Sequence, residues 1–567
     1  MCGVFLCARY TKDDSSSLSD LCGRLKHVNA ARGPDSQDTR RISVTGSDDV
    51  IALDLFASEL RLRGNGPVVQ PHEQDGNVFC WNGEIFDGMD IALQENDGVK
   101  LFHALNGLNT VDEVSDLFGS IEGPYAFVYY HAASQRLFFA RDPLGRRSLL
   151  IHRPSLKNPY FLLASVCAGS DSSCEFQELE TEYIYCLELR DLLNGQSMTT
   201  NFDSSFISFP RNSAAGLYTQ PSRVNTALPP NDWPLITGLE TPDYLTQTVD
   251  DLINHLNQSV ELRVRNIPQS SGGIGTARLA VLFSGGIDST VLAFLAHKHV
   301  PFDEPIDLLN VAFENPRKVK LGTVGNITKG QKKPQKPVVN PLPLYMVPDR
   351  VTGLQELEEL RRLCPRVWNF VEVNVPYEES QAAYPAVESC MFPGRTVMDL
   401  SLALALYFAS SGKGLVRDHS NADPVQYTSP ARVLLNGLGS DELLGGYGRH
   451  RTAYVTGGWE SVIEELQLEI DRIPSRNLGR DDRVISSHGK ETRHPFLSLS
   501  LVSFLAGLPV HLKMDPRAET GLGDKMLLRL AAKKMGLVEA SSRKKRAMQF
   551  GSHSARMEGE KRGDISI

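Results

Sequence analysis

The pattern of apolar residues changes along the chain, and that change limits the architectures open to it. Up to about residue 190 the apolar residues come in short or alternating runs: Leu53–Leu62, Val78–Trp81, Tyr125–Tyr130, Leu137–Ala140 and Tyr183–Leu189. Turn sequences such as Gly64-Asn65-Gly66-Pro67 and Asp142-Pro143-Leu144-Gly145 separate them. Many short strands at this spacing read as stacked antiparallel sheets. Further on, the runs become continuous, at Leu279–Phe283, Leu308–Phe313 and Arg432–Leu435, and the first leads through a Gly turn into a helix over Thr290–His297. Continuous apolar strands alternating with helices imply a parallel α/β sheet with both faces covered. Between the two regimes, Asn194–Trp233 is rich in Ser, Asn, Thr and Pro and reads as a linker. Leu245, Val249, Leu252, Leu256 and Val260 then mark a helix within Thr241–Arg265, and helical patterns dominate from Leu354 and again from Trp459.

Charge and cysteine usage exclude several classes. The 567 residues carry 59 basic and 68 acidic side chains, a net charge of −9, which gives no reason to expect nucleic acid or an anionic membrane as partner. Nine scattered cysteines form neither a disulfide framework nor a zinc spacing, and fit a reducing compartment. The longest apolar stretch, Leu400–Ala409, falls far short of a membrane span, and Val4–Ala8 is too short for a secretory core. A cytoplasmic protein is expected. Arg317–Pro337 holds seven Lys or Arg and no acid, and reads as a solvated, disordered insertion.

Two stretches carry chemistry. The chain starts Met-Cys-Gly. Removal of Met1 leaves Cys2 with a free α-amine, which titrates at about 7.7–8.0 and can take the proton of its own thiol. One residue then supplies nucleophile and base. Arg32-Gly33-Pro34-Asp35, Glu59-Leu60-Arg61-Leu62-Arg63-Gly64, Trp81-Asn82-Gly83-Glu84-Ile85-Phe86 and Glu95-Asn96-Asp97-Gly98 follow. Asn-Gly or Asp-Gly alone is a common turn. The second stretch is Phe283-Ser284-Gly285-Gly286-Ile287-Asp288-Ser289-Thr290, between an apolar strand and a helix. Such a junction aims backbone N–H groups and a positive helix end at an anion. Asp288 makes sense there if Mg²⁺ lies between it and phosphate. The Gly-Lys-Ser/Thr ending of a Walker A loop is absent. Ser271-Gly272-Gly273-Ile274-Gly275 precedes the strand and reads as a flexible loop.

In their order and spacing the amino-terminal motifs resemble the class II glutamine amidotransferase domain. The resemblance implies Cys2 as nucleophile, Asn82 and Gly83 as oxyanion hole, and Arg63, Asn82, Gly83, Glu84 and Asp97 around glutamine. Arg63 takes the α-carboxylate role, with Arg61 as the alternative, and Asp97 takes the α-amine. The Ser-Gly-Gly-x-Asp-Ser loop, with Asn436-Gly437-Leu438-Gly439-Ser440-Asp441-Glu442, resembles the N-type ATP pyrophosphatases of the asparagine synthetase branch. That resemblance implies ATP held by Phe283, Ser284, Gly285, Gly286, Asp288, Ser289, Val311, Asn436 and Gly437. It implies Mg²⁺ on Asp288 and Asp441, and a cation from Lys545 or Arg546.

The chain is thus similar to the glutamine-hydrolysing asparagine synthetases, closest to the divergent asparagine synthetase domain-containing protein 1 group. The expected fold is an α+β, αββα sandwich of the N-terminal nucleophile type over 2–190. A linker follows over 191–239, then an α/β parallel-sheet domain of the N-type ATP pyrophosphatase kind over 240–550, and a tail over 551–567. The expected reaction is amide-forming ligation of aspartate with ammonia from glutamine, ATP going to AMP and diphosphate, with glutamine, aspartate and ATP as small-molecule partners; the alternatives are a glutamine-dependent amidotransferase acting on another carboxylate, or a non-catalytic scaffold that retains the fold. A homodimer is left open. Two positions depart from the family. Met391 stands where a catalytic Glu is expected, so that either Glu388 shifts into place or the base is lost, and Ser498 replaces an Asp.

Overall fold

The structure, a computed structural model, describes residues 2–47, 49–194, 197–212, 218–269, 275–314, 344–417 and 422–557. The basic insertion at 317–337 and residues 271–274 lie outside these.

The amino-terminal half is two six-stranded sheets packed face to face. The first runs, in spatial order, Gln177–Glu178, Leu150–His152, Tyr160–Ala164, Gly3–Tyr10, Val50–Glu59 and Ser36–Thr45. The second runs Phe206–Pro210, Tyr183–Glu188, Arg136–Arg141, Tyr125–His131, Asn77–Gly83 and His72–Gln74. Gly3–Tyr10 is buried throughout, because both of its faces are covered. Val4, Leu6, Ala8 and Tyr10 meet Val78, Cys80, Ala126 and Val128 of the other sheet, while Phe5 and Cys7 meet Leu18, Leu21 and Leu25 of the helix Ser16–Ala30. On the far side, Phe79, Trp81 and Phe127 pack against helices Asp97–Asn106 and Val111–Ser120. The alternating side chains thus give the expected four layers, helix, sheet, sheet, helix.

The stretch expected as a linker is partly structured. Helix Met198–Ser205 and edge strand Phe206–Pro210 belong to the second sheet, so this half runs to Pro210. The strand, Phe206-Ile207-Ser208-Phe209-Pro210, is itself apolar; the Ser, Asn, Thr and Pro on either side of it hid so short a run.

The carboxy-terminal half is built on one seven-stranded sheet, ordered Val425–Thr428, Lys413–Val416, Trp368–Val375, Ile306–Phe313, Leu279–Leu282, Val433–Leu435 and Glu491–Arg493. The last five are parallel and the first two antiparallel. Helices Thr246–Val264 and Ile287–His297 cover one face, with Val249, Leu252 and Val291 in one core with Val281 of the sheet. Helix Val397–Ser411 covers the other, packing Leu400 and Leu404 on Leu282, Leu309 and Val371. From the central strand Leu279–Leu282 the chain first builds outward on one side, then returns to add Val433–Leu435 on the other. That reversal opens a crevice at the strand carboxyl ends, where open α/β sheets bind ligands. Helix Met548–Gly551 and the turn Ser554–Arg556 continue past residue 550, and Met557 is buried in this core.

Candidate functional site

The first site lies where strand ends meet. Gly3 pairs with Ser58, which sets Cys2 beside Glu59. Only glycine fits at position 3, since a Cβ there would lie 2.0 Å from the Asn29 carbonyl oxygen. The Cys2 nitrogen donates to Asn82 Oδ1 at 3.0 Å, Arg32 Nε donates to the Cys2 carbonyl at 3.1 Å, and Gln70 Nε2 is 3.7 Å from Cys2 Sγ. Burial pushes the Cys2 thiol up to about 11, with the amino-terminal charge working against it. Near neutral pH this thiol therefore needs a base. Asn82 Nδ2 is buried with no hydrogen-bond partner among the described residues. An unsatisfied donor costs free energy unless a ligand uses it, and beside a nucleophile it is placed to serve an oxyanion.

Arg63, and not Arg61, faces this pocket, together with Gly83, Glu84 and Asp97. Arg63 Nη2 donates to the Ile85 carbonyl at 3.0 Å, and its Nε is 3.6 Å from Glu84 Oε2. Arg61 reaches away to the Asn65 and Gln269 carbonyls at 3.0 and 3.1 Å. The two side chains part because the strand ends at Glu59 and does not continue to Leu62. Asp97 opens its helix, accepting from Ile85 N at 2.9 Å and Gly98 N at 3.0 Å. Burial raises its carboxyl, and Arg63 opposes the rise. Glu59, Gln70 and Glu491 also line the pocket and were not legible in sequence. Gln70 carries no motif, and Glu491 comes from the other half of the chain.

The second site is a cavity of about 730 Å³ in the crevice of the parallel sheet. Phe283, Ser284, Gly286, Asp288, Ser289, Val311, Asn436, Gly437, Asp441, Lys545 and Arg546 line it. Gly285 lies beneath the loop, at φ +74°, where a Cβ would meet Gly353 N at 2.5 Å. Positive φ and a backbone neighbour both require glycine there. Ser440 Oγ donates to Asp288, fixing the two loops together. Lys525 Nζ lies 2.6 Å from Asp288 Oδ2 and 2.7 Å from Asp441 Oδ1, and Lys545 pairs with Asp441 Oδ2. Burial tends to raise Asp441, but Lys525 and Lys545 outweigh it and hold its carboxyl well below the usual range. Lys525 is buried and holds a left-handed backbone, φ +51°. Since one ammonium spans both carboxylates, Asp288 and Asp441 are close enough to share one cation, and with phosphate oxygens they fit Mg²⁺.

Glu388 is not brought to this cavity. It is exposed on helix Tyr377–Met391, and Met391 is fully buried in the core. The register of that helix, with Val387 and Met391 facing in, turns Glu388 to solvent.

The two sites share a wall of buried charge. Arg493 Nη2 contacts Glu84 Oε1 at 2.6 Å and its Nε contacts Glu491 Oε1 at 2.6 Å. Arg32 pairs with Asp482 at 2.7 Å, Arg147 with Glu491 at 2.7 Å, and Arg146 with Glu122 at 2.7 Å. The Arg493 carbonyl accepts from Asn436 N at 3.0 Å, so the strand that touches Glu84 also holds the Asn436 loop of the second cavity. No helix among the described residues is long and apolar enough to cross a membrane.

Comparison with known proteins agrees with both halves. A family model described as glutamine amidotransferase domain matches residues 55–168, and one described as asparagine synthase matches 454–564. Asparagine synthetase domain-containing protein 1 of Bos taurus is 36% identical over 98% of this chain and 96% of its own, and that of Gallus gallus is 34% identical over 98% of each. A glutamine-hydrolysing asparagine synthetase of Gallus gallus is 22% identical, over 77% of this chain and 65% of its own.

Proposed function

The chain belongs to the asparagine synthetase domain-containing protein 1 family, and on that premise we propose that it is a glutamine-hydrolysing, ATP-dependent asparagine synthetase. The reaction is L-aspartate + L-glutamine + ATP + H₂O giving L-asparagine + L-glutamate + AMP + diphosphate. One observation carries the proposal. Cys2 sits beside an unused Asn82 donor, the Asp288–Lys525–Asp441 cluster lies in the second cavity, and Arg493 joins the two sites by binding Glu84 and accepting from Asn436 N.

At the first site the Cys2 α-amine takes the thiol proton. The thiolate attacks the glutamine amide, whose developing oxyanion accepts from Asn82 Nδ2 and Gly83 N–H. Arg63 holds the substrate carboxylate and Asp97 its ammonium. Collapse of the intermediate releases ammonia, and water clears the thioester to glutamate. At the second site the Ser284–Ser289 loop binds the pyrophosphate and Lys545 and Arg546 oppose its charge. The aspartate β-carboxylate then attacks the α-phosphorus to give the acyl-adenylate. Asp288 and Asp441 would hold Mg²⁺, which would neutralise charge on the leaving diphosphate. Ammonia then displaces AMP.

A second reading, another carboxylate as acceptor, is favoured by the exposure of Glu388 and the burial of Met391. ATP–pyrophosphate exchange against a panel of amino acids separates the two. Exchange that depends on aspartate is expected, and exchange driven only by another carboxylate would sink the aspartate reading.

A further inference from the structure

Ammonia attacking an acyl-adenylate gives a tetrahedral adduct carrying N⁺–H. The adduct loses one proton as the C–N bond is kept and the C–OAMP bond breaks. A base must therefore stand at the end of the cavity where ammonia arrives. Six acids line the cavity. Asp288 and Asp441 are engaged by Lys525 and Lys545. Glu469 is held by Arg449 at 2.6 Å. Asp349 packs on Gly551 and has Lys545 and Arg546 as its charged neighbours, at the nucleotide end. Asp399 and Asp481 are paired as well, but they share a single guanidinium between two carboxylates. Arg480 Nη1 contacts Asp399 Oδ1 at 2.7 Å and its Nη2 contacts Asp481 Oδ1 at 2.7 Å.

This pair also lies on the side facing Cys2. The short helix Gly479–Ser486 carries Arg480 and Asp481 on the cavity and Asp482 and Arg483 on the interface. Asp482 binds Arg32, whose Nε donates to the Cys2 carbonyl. The chain of contacts Cys2, Arg32, Asp482 thus ends one residue from the acid pair. Asp481 is almost wholly buried behind Arg480, whereas about a fifth of the Asp399 side chain is open (21%). Asp399 is also aimed by its own helix start, where Thr396 Oγ1 donates to Oδ2 at 2.6 Å and caps the Asp399 N–H.

We propose that Asp399 accepts the proton lost as ammonia displaces AMP, and that Arg480 and Asp481 are positioning residues that hold it there. The proposal rests on the acyl-transfer reading above. The carboxylate takes the proton, the adduct nitrogen keeps the electron pair, and AMP leaves with the C–O pair, so the step balances without a further reactant.

The test is the full-length Asp399→Asn protein, supplied with aspartate, ATP, Mg²⁺ and ammonium chloride. Aspartate-dependent ATP–pyrophosphate exchange should stay within about threefold of the parent, while amide formation falls about 10²–10⁴-fold. Asp399→Glu should recover part of the loss, and hydroxylamine, a nucleophile that sheds its proton more readily, should restore acyl transfer more than ammonia does. Unchanged glutamine hydrolysis checks folding. Amide formation near the parent rate, or exchange lost in step with it, would overturn the assignment, the latter by making Asp399 an acceptor-binding or structural group. Arg480→Lys should shift the pH profile of amide formation, and an unmoved profile counts against its positioning role. No aspartate-dependent exchange even in the parent would remove the aspartate reading and this step together. Failure confined to the variant removes this step alone.

Discussion

The two sites differ in how much room they keep. The pocket around Cys2 is about 20 Å³, roughly space for one water, whereas the cavity in the sheet crevice is about 730 Å³. The small pocket is closed by Arg63 and Glu84 from its own half and by Glu491 from the other. That wall is tied to the interface through Arg493, which binds Glu84 and Glu491. The large cavity already has volume for a nucleotide beside an acceptor, within the usual range of ligand sites. The first pocket therefore depends on residues from both halves of the chain, whereas the second is lined by the carboxy-terminal half alone.

If the sites are chemically separate, Cys2→Ala should have the largest effect on one and none on the other. Glutamine hydrolysis should vanish while synthesis from added ammonia persists. Equal loss of both would break the comparison. Arg493→Met tests the shared wall. Glu84 and Glu491 would lose their guanidinium inside the interface, and removing one partner of a buried pair costs about 3–5 kcal/mol. A urea titration should show that loss, with glutamine KM raised in whatever folds; stability within about 1 kcal/mol of the parent would mean the wall is not held this way.

Asp441→Asn sharpens the picture of the wide site. It removes charge from the Lys525–Lys545 cluster and should lower ATP-dependent synthesis about a hundredfold, near 3 kcal/mol, with glutamine hydrolysis intact. Wild-type AMP release would take Asp441 out of the site. Acid should act on the wall more gradually. Burial tends to raise Glu491, but Arg147 and Arg493 prevail and hold it at about 2, below its unfolded value near 4.5. A depressed carboxyl contributes stability that is fully present above about 4.5 and is lost as pH falls towards 2. Thermal melting points should fall over that window in the parent, and less steeply in Glu491→Gln. The smallest effect belongs to Glu388→Gln, expected within about twofold of the parent in amide formation, as for surface substitutions far from a site. A steep loss would place the base on the exposed face of helix Tyr377–Met391 and displace Asp399.

By itself the sequence determined the two regimes and the chemistry-bearing stretches. Period-two runs before residue 190 and continuous apolar runs after 279 are local patterns, and sheets of these two kinds bury them differently. Cys2, Asn82, Gly83, Asp97 and the Ser284–Ser289 loop were legible because each lies at a strand or helix end in a contiguous motif. The extent of the first half to Pro210 was not, because five residues, Phe206–Pro210, are too short a run to stand out from the Ser, Asn, Thr and Pro around them. Only the tertiary structure decided between Arg61 and Arg63, since the choice turns on the strand stopping at Glu59. It alone set Lys525 between two carboxylates, turned Glu388 outward and gathered Asp399 with Arg480. It alone joined Arg32 to Asp482 and Glu84 to Arg493. Ion pairs between residues hundreds of positions apart leave no periodicity in the chain; they exist only once two cores, each specified locally, are pressed together and the charges between them must find partners out of water.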